Sequence, residues 1–488
     1  MSKSLKNNVL SSMAWTSVQR FSGIFISFIS GIVLARLLTP FDYGCIGMLT
    51  IFMVIADAFI DGGFASALIQ KKQPTQTDYS TIFYWNIAMA IVMYAILFSC
   101  APFIARFYEI PILCDVLRVQ GIVLFINAFN IIQRNQLRKR MNFKVLAITS
   151  LITSIVSLTV TIAMAYSGYG VWALVASNLL TSAVPALFFW FYVKWRPSFT
   201  FSTSSFRELF SFGIFMFLTH VINDIGSKIT HLIIGKVYNP SLLGYFSKAE
   251  STESLASKSI SSVLTQITYP LYAQLQDDMA SMINVLKKLT TSIAYVTFPM
   301  LFILILIAKP LFILLYTEEW APSVPYFQIF CIIGLSSCLQ AVNTQTIAAI
   351  GKSKIMFQWT VIKRTAGLAF VIVGLILFGM KGLLCGVVAF NWFCYIVNIG
   401  LVSKYIGYNW KTQLLDLLPI LIASFSVAAL VYVVGRLVNS SLYCDGILKF
   451  TLYVALYLAW SIIFKPKSFV YVLSAIPTKY RGWFRIAK

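Results

Sequence analysis

Charge is scarce in this chain. Of its 488 residues only 11% are Asp, Glu, Lys or Arg, and two are histidine. A soluble globular chain carries about 25% charged residues. With 59% of its residues hydrophobic, the chain reads as an integral membrane protein, and a soluble fold is excluded. Paired-cysteine motifs are missing too. Cys45, Cys100, Cys114, Cys331, Cys338, Cys385, Cys394 and Cys444 form no C-x-x-C pair, so neither a disulfide framework nor a zinc site is indicated. There is no P-loop, no nucleophile–base set and no metal-ligand cluster. No loop is long enough to fold as an extramembrane domain, which a membrane glycosyltransferase or ligase needs. These absences point to a protein that is not an enzyme and has no cofactor. Acidic residues are few, 16 against 38 basic, for a net charge of +22. This excess is not a nucleic-acid signal, because the basic residues lie in short loops between apolar runs, where they set topology.

The apolar runs dominate. A span needs about 20 mostly apolar residues, and about 14 candidates follow, an all-α polytopic membrane protein. The first six cover approximately 9–35, 44–69, 80–104, 113–133, 145–167 and 170–193. The next six cover approximately 209–235, 241–270, 289–308, 323–349, 355–379 and 382–403. Two more fall near 413–437 and 447–464. The N-terminal stretch reads as part of a retained first span, not a signal peptide. With the N-terminus inside, the inside loops hold Lys71 and Lys72, then Arg134, Arg138, Lys139, Arg140 and Lys144, then Lys194, Arg196 and Arg207. Outside loops hold isolated charges such as Arg36, Arg106, Lys236 and Lys309. The positive-inside bias thus predicts a multi-pass protein with both termini cytoplasmic and an even number of spans.

The two halves echo each other. "ARLLTPFDYG" at 35–44 resembles "GKVYNPSLLG" at 235–244, each with Pro and then Gly between a first and a second span. "APFIARFYEIP" at 101–111 echoes "AKPLFILLYTEEW" at 308–320, and "GYGVWALVASN" at 168–178 echoes "MKGLLCGVVAFN" at 380–391. Three echoes in one order predict two pseudo-symmetric six-helix lobes, 1–200 and 201–408. Two additional spans (409–466) and a basic cytoplasmic tail (467–488) follow. Six spans per repeat make this a parallel repeat, whose lobes can enclose a cavity and rock against each other.

These residues resemble the polysaccharide transporter branch of the multidrug/oligosaccharidyl-lipid/polysaccharide (MOP) flippase superfamily. "LARLLTPFDYGCIGMLTIFMVIADAFIDGGFASALIQKK" at 34–72 is similar to that family's first-hairpin signature, and "QRNQLRKRMNFKVLA" at 133–147 to its inside loop after the fourth span. The resemblance covers roughly the whole chain. It implies a V-shaped pair of lobes, as in MATE-like transporters, with the first, second, seventh and eighth spans bordering a cavity. It also implies Wzx-type export of a lipid-linked oligosaccharide across a bacterial inner membrane for surface polysaccharide biosynthesis.

Charge inside a span costs about 2.5–3.5 kcal/mol on the lowest scale and marks a pathway, a pair or a wet cavity. On the eighth span Lys248, Ser251, Lys258 and Ser262 share a stripe at helical spacing, expected to line a wet lumen. On the seventh, Asp224 and Lys228 stand at i and i+4, as an ion pair or as transport groups. His220 and His231 share that face and read mainly as packing residues. On the second, Asp57 and Asp61 share a face, followed by Gly62 and Gly63. Two close carboxylates can hold a cation or share a proton, and the glycines can unwind the helix locally. Arg20 suits bidentate phosphate binding, or pairing with Asp57 or Asp61. Lys363 and Arg364 are expected to snorkel to the inside surface.

The expected substrate-binding residues are therefore Arg20, Lys228, Lys248 and Lys258, and the expected ion-coupling residues Asp57, Asp61 and Asp224, with Na+ or H+ as coupling ion. A diphosphate head group would bind the cations while the polyprenyl tail stays in lipid. Expected partners are the lipid-linked oligosaccharide, membrane lipid, and a polysaccharide polymerase with chain-length proteins. The alternatives are a cation-coupled multidrug antiporter of the same superfamily, whose cavity should be acidic, a membrane-embedded polymerase or ligase, and a non-transporting scaffold.

Overall fold

Inside a bilayer every backbone polar group has to be satisfied within its own segment, so long apolar runs become helices. The computed structural model describes residues 22–140, 142–274, 278–350, 353–438 and 441–475, and these form helices with no strand among the described residues. The first half holds α1 (Ser22–Leu37), α2 (Pro40–Asp61), α3 (Phe64–Gln70), α4 (Gln76–Tyr108), α5 (Ile112–Gln120), α6 (Ile122–Lys139), α7 (Phe143–Tyr166), α8 (Val171–Tyr192) and α9 (Thr203–Val237). The second holds α10 (Pro240–Gln274), α11 (Met279–Leu306), α12 (Ala308–Tyr316), α13 (Val324–Ala349), α14 (Ser353–Ile406), α15 (Trp410–Leu437), α16 (Leu442–Phe464) and α17 (Lys467–Ala475).

Among the described residues, ten helices are long and apolar enough to cross a membrane, or eleven if α9, bent by 54° between Thr203–Ser211 and Gly213–Val237, is one span. This count takes Gln358–Ile406 as one helix, although α14 breaks at Phe378 and Gly379 (φ 60°). That break falls where the sequence separates the eleventh and twelfth spans.

Contacts divide the chain into two compact units, Met1–Ser247 and Lys248–Lys488. In the first, α2 packs against α9, α4, α6 and α8, and α9 also touches α3 and α4. At one end Phe64, Ile82, Phe83, Ile132 and Leu209 form a core rimmed by Phe206 and by Trp85, Trp190 and Trp195, whose amphipathic indoles suit a membrane–water boundary. The basic loops gather at this end. Lys71 bridges Glu208 at 2.9 Å and Asp78 at 3.1 Å. Burial works against the Lys71 ammonium, but the Glu208 and Asp78 carboxylates outweigh it and hold its pKa above the ordinary lysine value.

In the second unit α11 is central, packed on α13, α15, α16 and α17. Buried tyrosines fasten the last long helices there. The hydroxyls of Tyr295 and Ser461 lie 2.6 Å apart, Tyr457 donates to the Tyr295 carbonyl at 3.1 Å, and Tyr453 to the Ser424 carbonyl at 3.2 Å. Such interhelical bonds in a membrane are worth about 0.6–2 kcal/mol each.

The first two echoes of the sequence recur as backbone punctuation. Thr39 caps α2 with a reciprocal Asp42 box, and Pro40 opens the helix, a strong start signal. In space the two Pro–Gly motifs meet crosswise. A Cβ on Gly44 would strike the Pro240 backbone, and one on Gly244 the Pro40 backbone. Only glycine allows this double approach. The second echo ends each helix on a buried tyrosine, Tyr108 and Tyr316, followed by a positive-φ residue, Glu109 (61°) and Thr317 (85°). The third echo is not matched in this way: Gly170 (φ 52°) precedes α8, but the positive-φ glycine at the α14 break is Gly379 (60°), just ahead of the 380–391 stretch, and not Gly382.

Candidate functional site

Arg20 lies outside the described residues, as does the chain beyond 475, including most of the basic tail. Lys258 falls in α10, but its side chain is outside the described set. The remaining predicted residues divide between the two units.

In the first unit a charge constellation spans α2, α6 and α9. Asp57, half-buried on α2, accepts a hydrogen bond from Asn127 Nδ2 at 3.2 Å. Asp61 closes the helix, where Gly62 turns left-handed (φ 53°) and its N–H returns to the Ala58 carbonyl. The local unwinding expected at Gly62–Gly63 is present. Its main effect is steric: a Cβ on Gly63 would collide with Gly213 of α9, so the break lets α9 approach closely. Arg134 of α6 is a charge neighbour of Asp57, and Arg138 and His220 are charge neighbours of Asp61. Arg134 and Arg138 also act on each other. Two acids thus face two arginines. No salt bridge within 4.0 Å locks Asp57 or Asp61 to them among the described residues.

Sequence reasoning missed both arginines by ending the fourth span at 133 and assigning them to a loop. The helix instead continues to Lys139. A signal was available: "IIQRNQLRK" contains no breaker, and Arg134 and Arg138 stand at i and i+4.

On α9 the ion pair that was one of the two readings of Asp224 and Lys228 does not form. Both are half-buried, and no ion pair within 4.0 Å joins them among the described residues. The Asp224 carbonyl accepts from Ser227 Oγ at 2.9 Å. His220 is exposed, whereas His231 is buried with its ring edge-on to Phe246 at 5.6 Å, a packing role.

In the second unit Lys248 departs from the lumen-lining expectation. It is 5% exposed, and its ammonium lies 4.2 Å from the Tyr316 ring centre and 5.6 Å from that of Trp320. Both rings are fully buried. The Tyr316 and Thr252 hydroxyls are 3.1 Å apart, and Thr252 Oγ1 donates to the Lys248 carbonyl at 2.8 Å. Glu253 and Ser257 are also buried. Glu253 lies against Gly334, and the Ser257 carbonyl faces Cys338 Sγ at 3.9 Å. The polar residues of this part of α10 therefore pack inward on α12, α13 and the turn between them, and a face-on cation–π arrangement satisfies the lysine. Ser251, expected on the same stripe as Lys248, is exposed. Lys363 and Arg364, expected at the surface, are half-buried on α14.

Comparison with known proteins places this geometry in a family. The chain is 23% identical over 358 residues to the teichuronic acid biosynthesis protein TuaB of Bacillus subtilis, covering 73% of this chain and 74% of that protein. It is 20% identical over 434 residues to the lipopolysaccharide biosynthesis protein WzxC of Escherichia coli, covering 87% and 88%. Among solved structures it matches the lipid II flippase MurJ, inward closed conformation, with a TM-score of 0.72 at 14% identity, covering 93% of this chain and 98% of that one; at that identity the likeness is one of fold. The family described as polysaccharide biosynthesis protein matches residues 33–325, more than half of the sequence. This chain therefore belongs to the polysaccharide biosynthesis protein family, as the resemblance of its first hairpin implied.

Proposed function

We propose that this protein is a flippase that carries a polyprenyl-diphosphate-linked oligosaccharide across the bacterial plasma membrane by alternating access, for surface polysaccharide synthesis. Membership of the family carries this reading, and the shared fold with a lipid II flippase supports it. The intramembrane charges fit it. Lys228 and Asp224 are half-buried on α9 without closing on each other, which leaves a cation for the diphosphate. Arg20 and Lys258 are the other proposed substrate cations; Lys248 is better described as a structural cation. Asp57 and Asp61, with Asp224 as a further candidate, form the proposed coupling site. The proposed coupling ion is a proton; the arginine neighbours do not select it, because fixed positive charge favours the ionised carboxylate and opposes a proton and Na+ alike. The basic loops gathered at one end of the first unit support cytoplasmic termini. A polysaccharide polymerase and chain-length proteins are the proposed partners.

The test is a deletion strain complemented with the wild type or Lys228→Ala. Lipid-linked intermediate should accumulate in the inner leaflet of the deletion strain and clear with the wild-type chain. Lys228→Ala should export at about a tenth of the rate, a loss of about 1.4 kcal/mol, with normal membrane insertion. Intermediate that reaches the outer leaflet as fast without the protein would show it to be a scaffold.

A further inference from the structure

At the basic end of the first unit a cavity of about 390 Å³ is lined by Gln76, Tyr79, Gln136, Lys139, Arg140 and Trp195. Half of these groups are already engaged. Lys139 donates to the carbonyls of Leu68 at 3.0 Å, Ile69 at 3.4 Å and Lys71, capping the end of α3. Gln76 donates to the Arg196 carbonyl at 2.7 Å and accepts from Trp195 Nε1 at 2.6 Å, which fixes the indole. The Trp195 ring stands edge-on to Tyr79 with centres 6.1 Å apart.

The other half has unused capacity. Gln136 is 3% exposed, and its Oε1 accepts no hydrogen bond; a buried acceptor left so is costly, and the amide torsion is soft enough to turn either end inward. Arg140 is exposed, and among the described residues its guanidinium makes no hydrogen bond, ion pair or ring contact. It lies within charge-interaction range of the Tyr79 hydroxyl. An open guanidinium, an unsatisfied amide and a phenol around one aromatic-walled cavity match a phosphate ester carrying hydroxyl groups: the fork binds phosphate oxygens, and the neutral groups bind hydroxyls.

We propose that this cavity binds the phosphate of a hydroxylated phosphate ester through Arg140, with Gln136 and Tyr79 on its hydroxyls. An anionic bilayer lipid head group such as phosphatidylglycerol, or a free glycerol phosphate, offers this chemistry. Basic pockets between helices at the cytoplasmic face suit the former. The site is separate from the charges assigned to transport and does not depend on the flippase reading.

The experiment is native mass spectrometry of the full chain in neutral detergent, with phosphatidylglycerol, phosphatidylcholine and sn-glycerol 3-phosphate as probes. The wild type should retain phosphatidylglycerol over phosphatidylcholine. Arg140→Gln, which removes no internal contact, should retain about five-fold less, Gln136→Leu should also retain less, and Lys411→Gln, an exposed charge in the second unit, should match the wild type. Binding of glycerol phosphate that Arg140→Gln abolishes, without a preference for phosphatidylglycerol, would support the site with a soluble source. Equal retention of phosphatidylglycerol by the wild type and Arg140→Gln, with no glycerol phosphate bound, would overturn the proposal.

Discussion

Lys248 shows how a single residue changes meaning once its neighbours are known. Its place in the second Pro–Gly motif corresponds to Met48 in the first, four residues after Gly244 and Gly44 respectively. Met48 is fully buried and, with Tyr108, flanks Gly235; Lys248 lies over Tyr316, the matching helix-end tyrosine. A lysine thus fills the site of a core methionine. Methionine has a similar length, carries no charge to desolvate, and its thioether packs favourably against aromatic rings. Lys248→Met should therefore keep or raise the melting temperature in detergent, with export intact. Lys248→Ala, which loses the ring contact and leaves a cavity, should cost about 2 kcal/mol or more. Loss of export in a thermally normal Lys248→Met protein would return the residue to the transport path. The polar stripe read from spacing is not the one observed: Lys248 is buried, Ser251 is exposed, and the other inward polar residues are Thr252, Glu253 and Ser257. Which side was wet was not legible, because the aromatic box comes from a segment far along the chain. Arg134 and Arg138 were missed for a related reason: charge was taken to end the span, and the acids that tolerate it lie on another helix.

The cross between the two Pro–Gly motifs belongs to the scale of elements. The obstruction at Gly44 is the Pro240 backbone and that at Gly244 the Pro40 backbone, which cannot rotate away as a side chain can. Gly44→Ala and Gly244→Ala should each destabilise the first unit by about 1–3 kcal/mol, read as a lowered melting temperature. Gly400→Ala, with nothing within 4 Å of the added carbon, should be neutral or slightly stabilising, since alanine favours a helix by about 1 kcal/mol over glycine. Equal melting temperatures for all three would show that the close approach does not exist. Helices and their ends were readable because proline, glycine and threonine caps act locally. The crossing was visible only as a repeated motif, because it joins residues that local rules do not connect.

For the whole molecule, the question is what drives export. No nucleotide motif is present, and among the described residues no cluster of three or more His, Cys, Asp or Glu side chains can hold a metal ion. The first unit instead holds Asp57 and Asp61 opposite Arg134 and Arg138, near balance and without a locking salt bridge. Loss of one carboxylate charge on protonation leaves the arginines in excess, and such an imbalance can bias one conformation over another by the few kcal/mol a transport cycle requires. Export into membrane vesicles should accordingly slow when a protonophore collapses the proton gradient and be indifferent to a sodium ionophore. The Asp57→Asn/Asp61→Asn double variant should export slowly and ignore both agents, because its site can no longer exchange the proton. Arg134→Gln should leave export slow but still protonophore-sensitive, since it removes the counter-charge and keeps the carboxylates. A double variant that remains as sensitive to the protonophore as the wild type would place coupling elsewhere in the chain, with Asp224 the next residue to change.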